Sequence, residues 1–238
     1  MNLILLEPGD FTGPDTVALR GRRLAHIAEV HRAETGDTLK VGLVDGNIGS
    51  GEVLERSGDK VTLRVSLHKS PPPPLPLTLI LALPRPKMLK RTVQHATALG
   101  VKKLYLINAY RVEKSFWQSP WLAQDKLREQ CVLGLEQAVD TAMPEIILRK
   151  RFKPFAEDEL PAIAAQSRKL VAHPVTNQSC PVDIAEQTTL AVGPEGGFIP
   201  YEVEKLQEQG FESVHLGPRI LRVETALPVL LSRLFPAR

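Results

Sequence analysis

Residues 189–198 read TLAVGPEGGF, an apolar run that passes directly into a turn rich in glycine and proline. The turn comprises Gly193, Pro194, Glu195, Gly196 and Gly197, and the helical pattern YEVEKLQEQ follows shortly after it. Glycine permits positive φ angles and a close approach of the backbone to a ligand. The turn fits neither the G-x-G-x-x-G dinucleotide pattern nor a P-loop, which ends in Lys-Ser/Thr. Glycine content alone therefore does not distinguish a ligand-binding loop from an ordinary tight connection between a strand and a helix.

The segments around this turn alternate between strand patterns and helix patterns, which predicts an α/β fold with a parallel sheet covered by helices. The predicted strands are LTLILAL (77–83), KLYLIN (103–108), KLVAH (169–173), TLAV (189–192) and SVHL (213–216). The predicted helices cover 89–99, 120 to about 139, 201–209 and a last segment that ends near 235. In such a sheet, ligands bind at the carboxyl ends of the strands.

A second glycine-proline turn lies in HLGPRILRVETALPVLL, residues 215–231, where a strand passes through Gly217 and Pro218 into a basic, then acidic, then apolar segment. Together with the end of KLVAHP (169–174), the two turns would form adjacent loops at one edge of the sheet. The alternative to a catalytic role for Glu224 in this segment is a structural one, because an acidic residue is favourable at the start of a helix.

The proline-rich segment KSPPPPLP, residues 69–76, predicts a domain linker, because four consecutive prolines cannot sit inside a helix or a central strand. Residues 1–68 contain short β-like runs around one helical stretch, RRLAHIAEVHR, and predict a small β-barrel with one helix. Residues 77–238 form the second predicted domain, which carries both glycine-proline turns.

Basic residues are concentrated in the middle of the chain, although the net charge is only +3. Residues 69–120 contain nine Lys and Arg against the single acid Glu113, whereas acidic residues exceed basic ones on either side. Clustered Lys and Arg bind the phosphates of nucleic acids. The candidate phosphate contacts in this stretch are Arg85, Lys87, Lys90 and Arg91, and a smaller N-terminal cluster contains Arg20, Arg22, Arg23 and Arg32. The alternative for any one of them is a solvated helix face.

Several protein classes are excluded by composition. No apolar run approaches the roughly 20 residues that cross a bilayer, and the start MNLILLEPGDF lacks the features of a signal peptide, so we expect a cytoplasmic protein without membrane contact. The two cysteines, Cys131 and Cys180, have no second thiol or histidine at the spacing of metal ligands. We expect both thiols to be unpaired and no metal to be bound.

The paired motifs GPEGGF (193–198) and LGPRILRVETA (216–226) resemble the signature of the SPOUT methyltransferases, specifically the ribosomal RNA small subunit methyltransferase E family. The resemblance extends over most of the chain in matching order. The further segments that carry it are HIAEVHRAETGDTLKV (26–41), ATALGVKKLYLINAYR (96–111) and LEQAVDTAMPEI (135–146).

The resemblance implies a PUA-like N-terminal barrel and a SPOUT domain with a deep C-terminal trefoil knot, an exception to the rule that chains do not knot. It also implies S-adenosylmethionine as the cofactor, bound in a bent form within the knot. Proteins of this family act as homodimers and methylate N3 of a uridine in 16S ribosomal RNA within the assembled small subunit.

Site residues follow from matching the family motifs to this sequence. The resemblance and the predicted loops assign the cofactor pocket to His173, Pro174, Gly193, Pro194, Glu195, Gly196, Gly197, Leu216, Gly217 and Leu221. They assign candidate catalytic roles to Arg219, Arg222, Glu224 and Glu195, the arginines facing the phosphate or the uracil oxygens and a glutamate accepting the proton.

The chain departs from the family pattern at Ala98, at Asp140-Thr141, where Gly-Arg is usual, at Ile199 and at Val223. The Ile199 side chain cannot serve as an N-cap. Three alternatives stay open: the same fold acting on another RNA such as transfer RNA, a ribosome-binding protein without catalysis, and a nucleotide-dependent α/β enzyme. The missing P-loop lysine and dinucleotide fingerprint count against the last.

Overall fold

The computed structural model describes residues 2–236. The chain divides into two compact units. The first unit comprises Met1–Pro73 and Cys131–Met143, and the second comprises Pro74–Gln130 and Pro144–Arg238. The proline-rich segment thus lies at one junction between the units, and residues 70–76 carry no helix or strand. The contribution of 131–143 to the first unit has no counterpart in the sequence patterns.

The first unit contains a five-stranded sheet in the order β1-β3-β4-β5-β2, in which β1 and β3 are parallel and the other pairs antiparallel. Its strands are β1 (Ile4–Leu6), β2 (Thr16–Leu19), β3 (Thr38–Leu43), β4 (Ile48–Arg56) and β5 (Val61–Lys69). Along β5, Val61, Leu63 and Val65 are buried while the residues between them are more exposed, as expected for a strand with one face on a core.

One helix, α1 (Gly21–His26), packs in the first unit and continues as a wider turn over Ile27–His31. Ile27 enters the same core as Val17 and Leu63. The wider turn ends at His31, and the next residue, Arg32, adopts a left-handed conformation with φ of 53°. The single helical stretch predicted for this part of the chain is therefore confirmed.

The segment 131–143 is anchored to the N-terminal strand of the first unit. Leu135 packs with Leu3, Leu5 and Ile48, and the main-chain N–H groups of Asn2 and Leu3 both donate to the Glu136 carbonyl at 3.0 Å. The hydrophobic pattern of a helix indicates which of its faces is buried, but not which part of the protein that face packs against. For this reason the sequence could not assign these residues to the first unit.

The second unit is built on a six-stranded sheet in the order β11-β9-β10-β6-β7-β8, with every pair parallel. Its strands are β6 (Leu77–Ala82), β7 (Lys103–Ile107), β8 (Glu145–Arg149), β9 (Arg168–Ala172), β10 (Thr188–Val192) and β11 (Glu212–Val214). All residues of β6 and β10 are buried, which explains their continuous apolar runs. The predicted α/β class with a parallel sheet is confirmed.

Strand β8 was not foreseen from the sequence. It forms the edge of the sheet beside β7, and most of its residues are only half-buried, so its pattern lacks the continuous burial of the central strands. Two short helical segments after it, α4 (Phe152–Pro154) and α5 (Leu160–Ile163), also carried too little periodicity to be predicted.

The longer helices of the second unit are α2 (Pro86–Ala98), α6 (Pro200–Glu208) and α7 (Val223–Leu234), whereas α3 (Gln124–Ala138) begins in the second unit and its residues from Cys131 onward belong to the first. Gly100 and Gly210 follow α2 and α6 with φ of 92° and 85°, the left-handed conformation in which glycine commonly ends a helix. The prediction that Pro120 opens α3 is wrong. Pro120 begins a separate 3₁₀ turn whose first N–H groups are capped by Ser119, and α3 begins four residues later.

Candidate functional site

The loops that follow β9, β10 and β11 line one cavity of about 290 Å³ at the carboxyl edge of the parallel sheet. The three strands are neighbours or near neighbours in the sheet, so their C-terminal loops emerge side by side. Helix α7 also lines the cavity, through Val223, Ala226 and Leu230. The three loops are those in which the sequence predicts a ligand site.

All ten residues assigned to the cofactor pocket line this cavity, and the candidate catalytic residues Glu195 and Arg219 do so as well. Arg222 and Glu224 are not among the lining residues. Arg222 precedes α7 and is exposed, and Glu224 lies in the first turn of α7, where its charge favours the helix. The lining residues that the sequence did not single out for this pocket are Ala172, Val192, Val214, His215, Ile220, Val223, Ala226 and Leu230.

The loop after β10 needs its glycines for two different reasons. A Cβ atom at Gly193 would lie 2.9 Å from the Phe198 nitrogen, closer than side chains tolerate. Gly197 has φ of 73°, and its N–H donates to the Pro194 carbonyl at 2.7 Å, which closes a tight turn. The loop therefore folds back on itself at the edge of the cavity.

The loop after β11 is held by a histidine that the sequence analysis passed over. The Gly217 N–H donates to His215 Nδ1 at 2.9 Å, and Gly217 itself has φ of 116°. The His215 main chain pairs with the 178–180 segment through Gln178 and Cys180. Because Nδ1 accepts a hydrogen bond here, the neutral imidazole carries its proton on Nε2.

The glycine loop is supported by three contacts. The Arg111 guanidinium donates to the Gly196 carbonyl. The Arg85 N–H donates to Glu195 Oε1 at 3.2 Å. These contacts join the loops after β6 and β7 to the loop that lines the cavity, so the main chain on that side of the cavity is fixed from two neighbouring strands.

The third contact runs through Glu202, a buried carboxylate in the first turn of α6 that is only 2% exposed. Its Oε1 accepts from the Tyr110 N–H at 2.7 Å and its Oε2 from the Ile199 N–H at 3.0 Å. Glu202 thus accepts from one main-chain donor at the start of α6, the Ile199 N–H, and from one in the loop after β7, the Tyr110 N–H. The sequence showed that the Ile199 side chain cannot cap α6 but not that Glu202 joins these two segments.

Three of the four predicted phosphate contacts in the basic stretch, Arg85, Lys87 and Arg91, are exposed on or just before α2. Lys90 lies between them, half-buried, with its Nζ 3.4 Å from the centroid of the Trp121 ring. A cation held against an aromatic face is already partly desolvated and oriented. Lys90 is therefore less available to a phosphate than its three neighbours.

In the first unit, three of the four predicted phosphate-binding arginines form ion pairs within the protein. Arg20 pairs with Asp59, and the partly buried Arg23 forms two bonds with Asp10. Arg22 forms two bonds with Glu136, at 2.8 and 2.9 Å. Arg32 is exposed. The sequence analysis predicted phosphate contacts for these arginines because their acidic partners are distant in the sequence and cannot be recognised from it.

Both cysteines are buried and free of disulfides, as predicted. Burial raises the pKa of the Cys180 thiol, and the nearby Arg233 and Arg168 guanidinium groups oppose this only in part. Within residues 2–236 no group of three or more His, Cys, Asp or Glu side chains is placed to hold a metal ion. In the same part of the chain, no helix is long and apolar enough to cross a membrane.

Comparison with known proteins supports the resemblance seen in the motifs. Relatives named ribosomal RNA small subunit methyltransferase E include those of Treponema pallidum (strain Nichols), 26% identical over 95% of this chain and 87% of the relative, and Bacillus subtilis (strain 168), 28% identical over 89% and 86%.

Among solved structures, the fold is similar to that of a ribosomal RNA small subunit methyltransferase E from Neisseria gonorrhoeae bound to S-adenosyl methionine, with a TM-score of 0.74, 22% identity and coverage of 98% and 96%. A Legionella pneumophila methyltransferase in complex with its cofactor SAM gives a TM-score of 0.75, 23% identity and coverage of 97% and 95%. The model of the RNA methyltransferase domain matches residues 71–235. The chain therefore belongs to the RNA methyltransferase domain family.

Proposed function

We propose that this protein transfers the methyl group of S-adenosylmethionine to N3 of a specific uridine in 16S ribosomal RNA of the small subunit. The observation that carries the proposal is the cavity at the carboxyl edge of the sheet, since its lining unites both glycine-proline motifs shared with the family. The names of the relatives support ribosomal RNA as the substrate. The two similar structures with bound S-adenosylmethionine support the cofactor.

The cavity suits such a cofactor. Its volume of about 290 Å³ is near the lower end of the range for pockets that bury small ligands. Apolar side chains such as Val192, Val214 and Leu230 can cover a flat purine ring, while the turns at Gly193 and Gly217 bring main-chain polar groups close to a ligand. When bound, S-adenosylmethionine supplies a methyl group activated by its positively charged sulfur.

The protein must supply a proton acceptor and a positive group for the uracil. Uridine N3 carries a proton and becomes a nucleophile only when that proton leaves. Glu195 lines the cavity and is our choice as acceptor, whereas Glu224 lies outside the lining. Arg219 also lines the cavity, and its guanidinium can face the charge that develops on the uracil oxygens. We assign binding of the RNA phosphate to Arg222, which lies just before α7.

The target base must leave its stack to enter such a cavity, so the surrounding RNA has to be held by its backbone. Arg85, Lys87 and Arg91 form an exposed group suited to this role, with Lys90 as a weaker member. In the PUA-like first unit, Arg32 is the best phosphate contact, because the ion pairs of Arg20, Arg22 and Arg23 offset their charge locally.

The remaining predictions are part of the same proposal: a domain division at the proline-rich segment 69–76 and a cytoplasmic location, both predicted from the residues, and the trefoil knot, the homodimer and the assembled subunit, which the family resemblance implies. Hydrogen bonds from the Asp183 and Ile184 N–H groups to the last turn of α7 support a tightly integrated C-terminal segment.

The test is mass spectrometry of small-subunit ribosomal RNA from cells with and without the gene. We expect one 3-methyluridine to disappear, and to return when the purified protein and S-adenosylmethionine are added to subunits from the deficient cells. Transfer RNA from the same cells is the matched control. Loss of a methyl group from transfer RNA instead would redirect the substrate, and no change in any RNA would favour a ribosome-binding protein without catalysis.

A further inference from the structure

The chain turns sharply just after β7, at residues 109–112. The Val112 N–H donates to the Ala109 carbonyl at 3.0 Å, which places Tyr110 and Arg111 at the two central positions of the turn. Ala109 and Val112 are buried, so both ends of the turn are fixed in the protein. Such positions usually carry glycine, proline or a small polar residue. Here a tyrosine occupies one of them.

The Tyr110 ring lies in solvent. Tyr110 is 79% exposed, whereas Tyr105 on the preceding strand is buried against Phe155. Tyr201, the third tyrosine, is 42% exposed and has the Lys205 ammonium 5.9 Å from its ring centroid. The Tyr110 ring therefore adds little to the hydrophobic core, and an exposed aromatic face on a fixed turn is available to a ligand.

This turn is connected to the cavity by direct contacts. The Tyr110 N–H donates to buried Glu202 at 2.7 Å, and Glu202 also accepts from the N–H of Ile199, which lies between the glycine loop and α6. The next residue, Arg111, donates to the carbonyl of Gly196, which lines the cavity. Tyr110 thus has its main chain fixed relative to the glycine loop at which the proposed reaction takes place.

The electrostatic setting of the turn suits RNA. Arg111 and Lys114 follow Tyr110 within four residues, with the exposed Glu113 between them, and Glu113 is the single acid against nine basic residues in the stretch 69–120. The exposed Arg85, whose main-chain N–H donates to Glu195 of the same glycine loop, is another basic residue of this stretch. A positive surface that includes an exposed aromatic ring is the combination with which proteins hold single-stranded nucleic acids, since phosphates bind the charges and bases stack on the ring.

We propose that Tyr110 is a stacking surface for a base of the RNA substrate that flanks the target uridine. The target base meets the cofactor at the opening of the cavity, and the ring of Tyr110 takes a neighbouring unstacked base, so that the backbone between the two is held in the orientation that the reaction needs. The inference rests on the proposed function, because it assumes an RNA substrate at this cavity. It assigns a role in RNA binding to a residue outside the cavity lining.

The test compares Tyr110→Ala with Tyr110→Phe in the full chain, using unmethylated small ribosomal subunits as the probe. We expect Tyr110→Ala to weaken subunit binding by about 5- to 150-fold, the range for loss of one stacked base, and Tyr110→Phe to keep wild-type affinity because it keeps the ring. Affinity for S-adenosylmethionine should stay unchanged in both variants. The slope of affinity against salt should also stay unchanged, because no charge is removed.

Tyr201→Ala is the matched control, since it removes another exposed tyrosine of the same unit and should leave subunit binding unaltered. Wild-type affinity in Tyr110→Ala, an equal loss in Tyr110→Phe, or an ultraviolet crosslink from Tyr110 to a ribosomal protein rather than to a nucleotide would each overturn the inference. Failure of the proposed function is distinguishable, because the wild-type protein would then not methylate the subunit at all.

Discussion

Arg22 and Glu136 form a two-pronged ion pair that joins α1 to the segment 131–143 of the first unit. The Glu136 side chain is 0% exposed, whereas that of Arg22 is 47% exposed. A buried carboxylate without its cation is strongly unfavourable. The pair therefore explains why a helix from the middle of the chain stays packed on the N-terminal sheet.

We expect Arg22→Ala to lower the free energy of unfolding by about 3 kcal/mol, because the buried carboxylate of Glu136 loses its main cation. Urea denaturation measures the change. Arg64→Ala is the control, since it breaks an exposed pair with Glu52 at 3.5 Å and should cost less than about 1 kcal/mol. If both variants were equally stable, the buried pair would have no structural role and Arg22 would return to the candidate phosphate contacts.

Gly193→Ala should weaken S-adenosylmethionine binding by about tenfold or more, corresponding to ~1.4 kcal/mol. The added Cβ would lie 2.9 Å from the Phe198 nitrogen and so would push the glycine loop out of its position at the cavity. Isothermal titration calorimetry with the cofactor gives the affinity. Gly58→Ala is a neutral control, because a Cβ there meets nothing within 4 Å. Wild-type affinity in Gly193→Ala would mean that the cofactor does not depend on this loop.

Glu195→Gln should lower kcat by about 100-fold or more, as expected for loss of a proton acceptor, with little change in cofactor affinity. Glu224→Gln should retain most of the activity, because Glu224 lies outside the cavity lining in the first turn of α7. Single-turnover methylation of small subunits separates chemistry from binding. The reverse result, an inactive Glu224→Gln with an active Glu195→Gln, would exchange the two roles.

Cys180 should react slowly with a thiol reagent in the folded protein at neutral pH, because burial raises the pKa of its thiol and limits access. Since the folded pKa is the higher one, the contribution of this group to stability is full below the unfolded pKa. It is lost as the pH rises through the folded pKa.

Thiol titration with and without denaturant, together with unfolding free energies from neutral to alkaline pH, checks this expectation. The variant Cys180→Ala should show a smaller loss of stability at alkaline pH than the wild-type protein. Rapid reaction of Cys180 in the folded protein at neutral pH would contradict a buried thiol of raised pKa.

The fold class and the position of the site followed from local patterns. Strands β6 and β10 are buried on both faces, so each is a continuous apolar run that can be recognised without its neighbours. The turns at Gly193 and Gly217 can also be recognised locally, because the glycines that their conformations require stand in the turns themselves. Parallel strands deliver their C-terminal loops to one edge, and the ten residues that the family resemblance assigned to the cofactor pocket line the cavity at that edge.

What the sequence determined by itself was thus the class of the fold, the two glycine turns and the edge of the sheet at which they meet. Only the tertiary structure decided which distant groups pair: Arg22 with Glu136, 114 residues away, and Tyr110 with Glu202, 92 residues away. It also decided the strand order, the place of edge strand β8, and the separation of Glu224 from the cavity lining. Hydrophobic periodicity and turn chemistry act over a few residues, whereas such pairings depend on how the chain crosses from strand to strand.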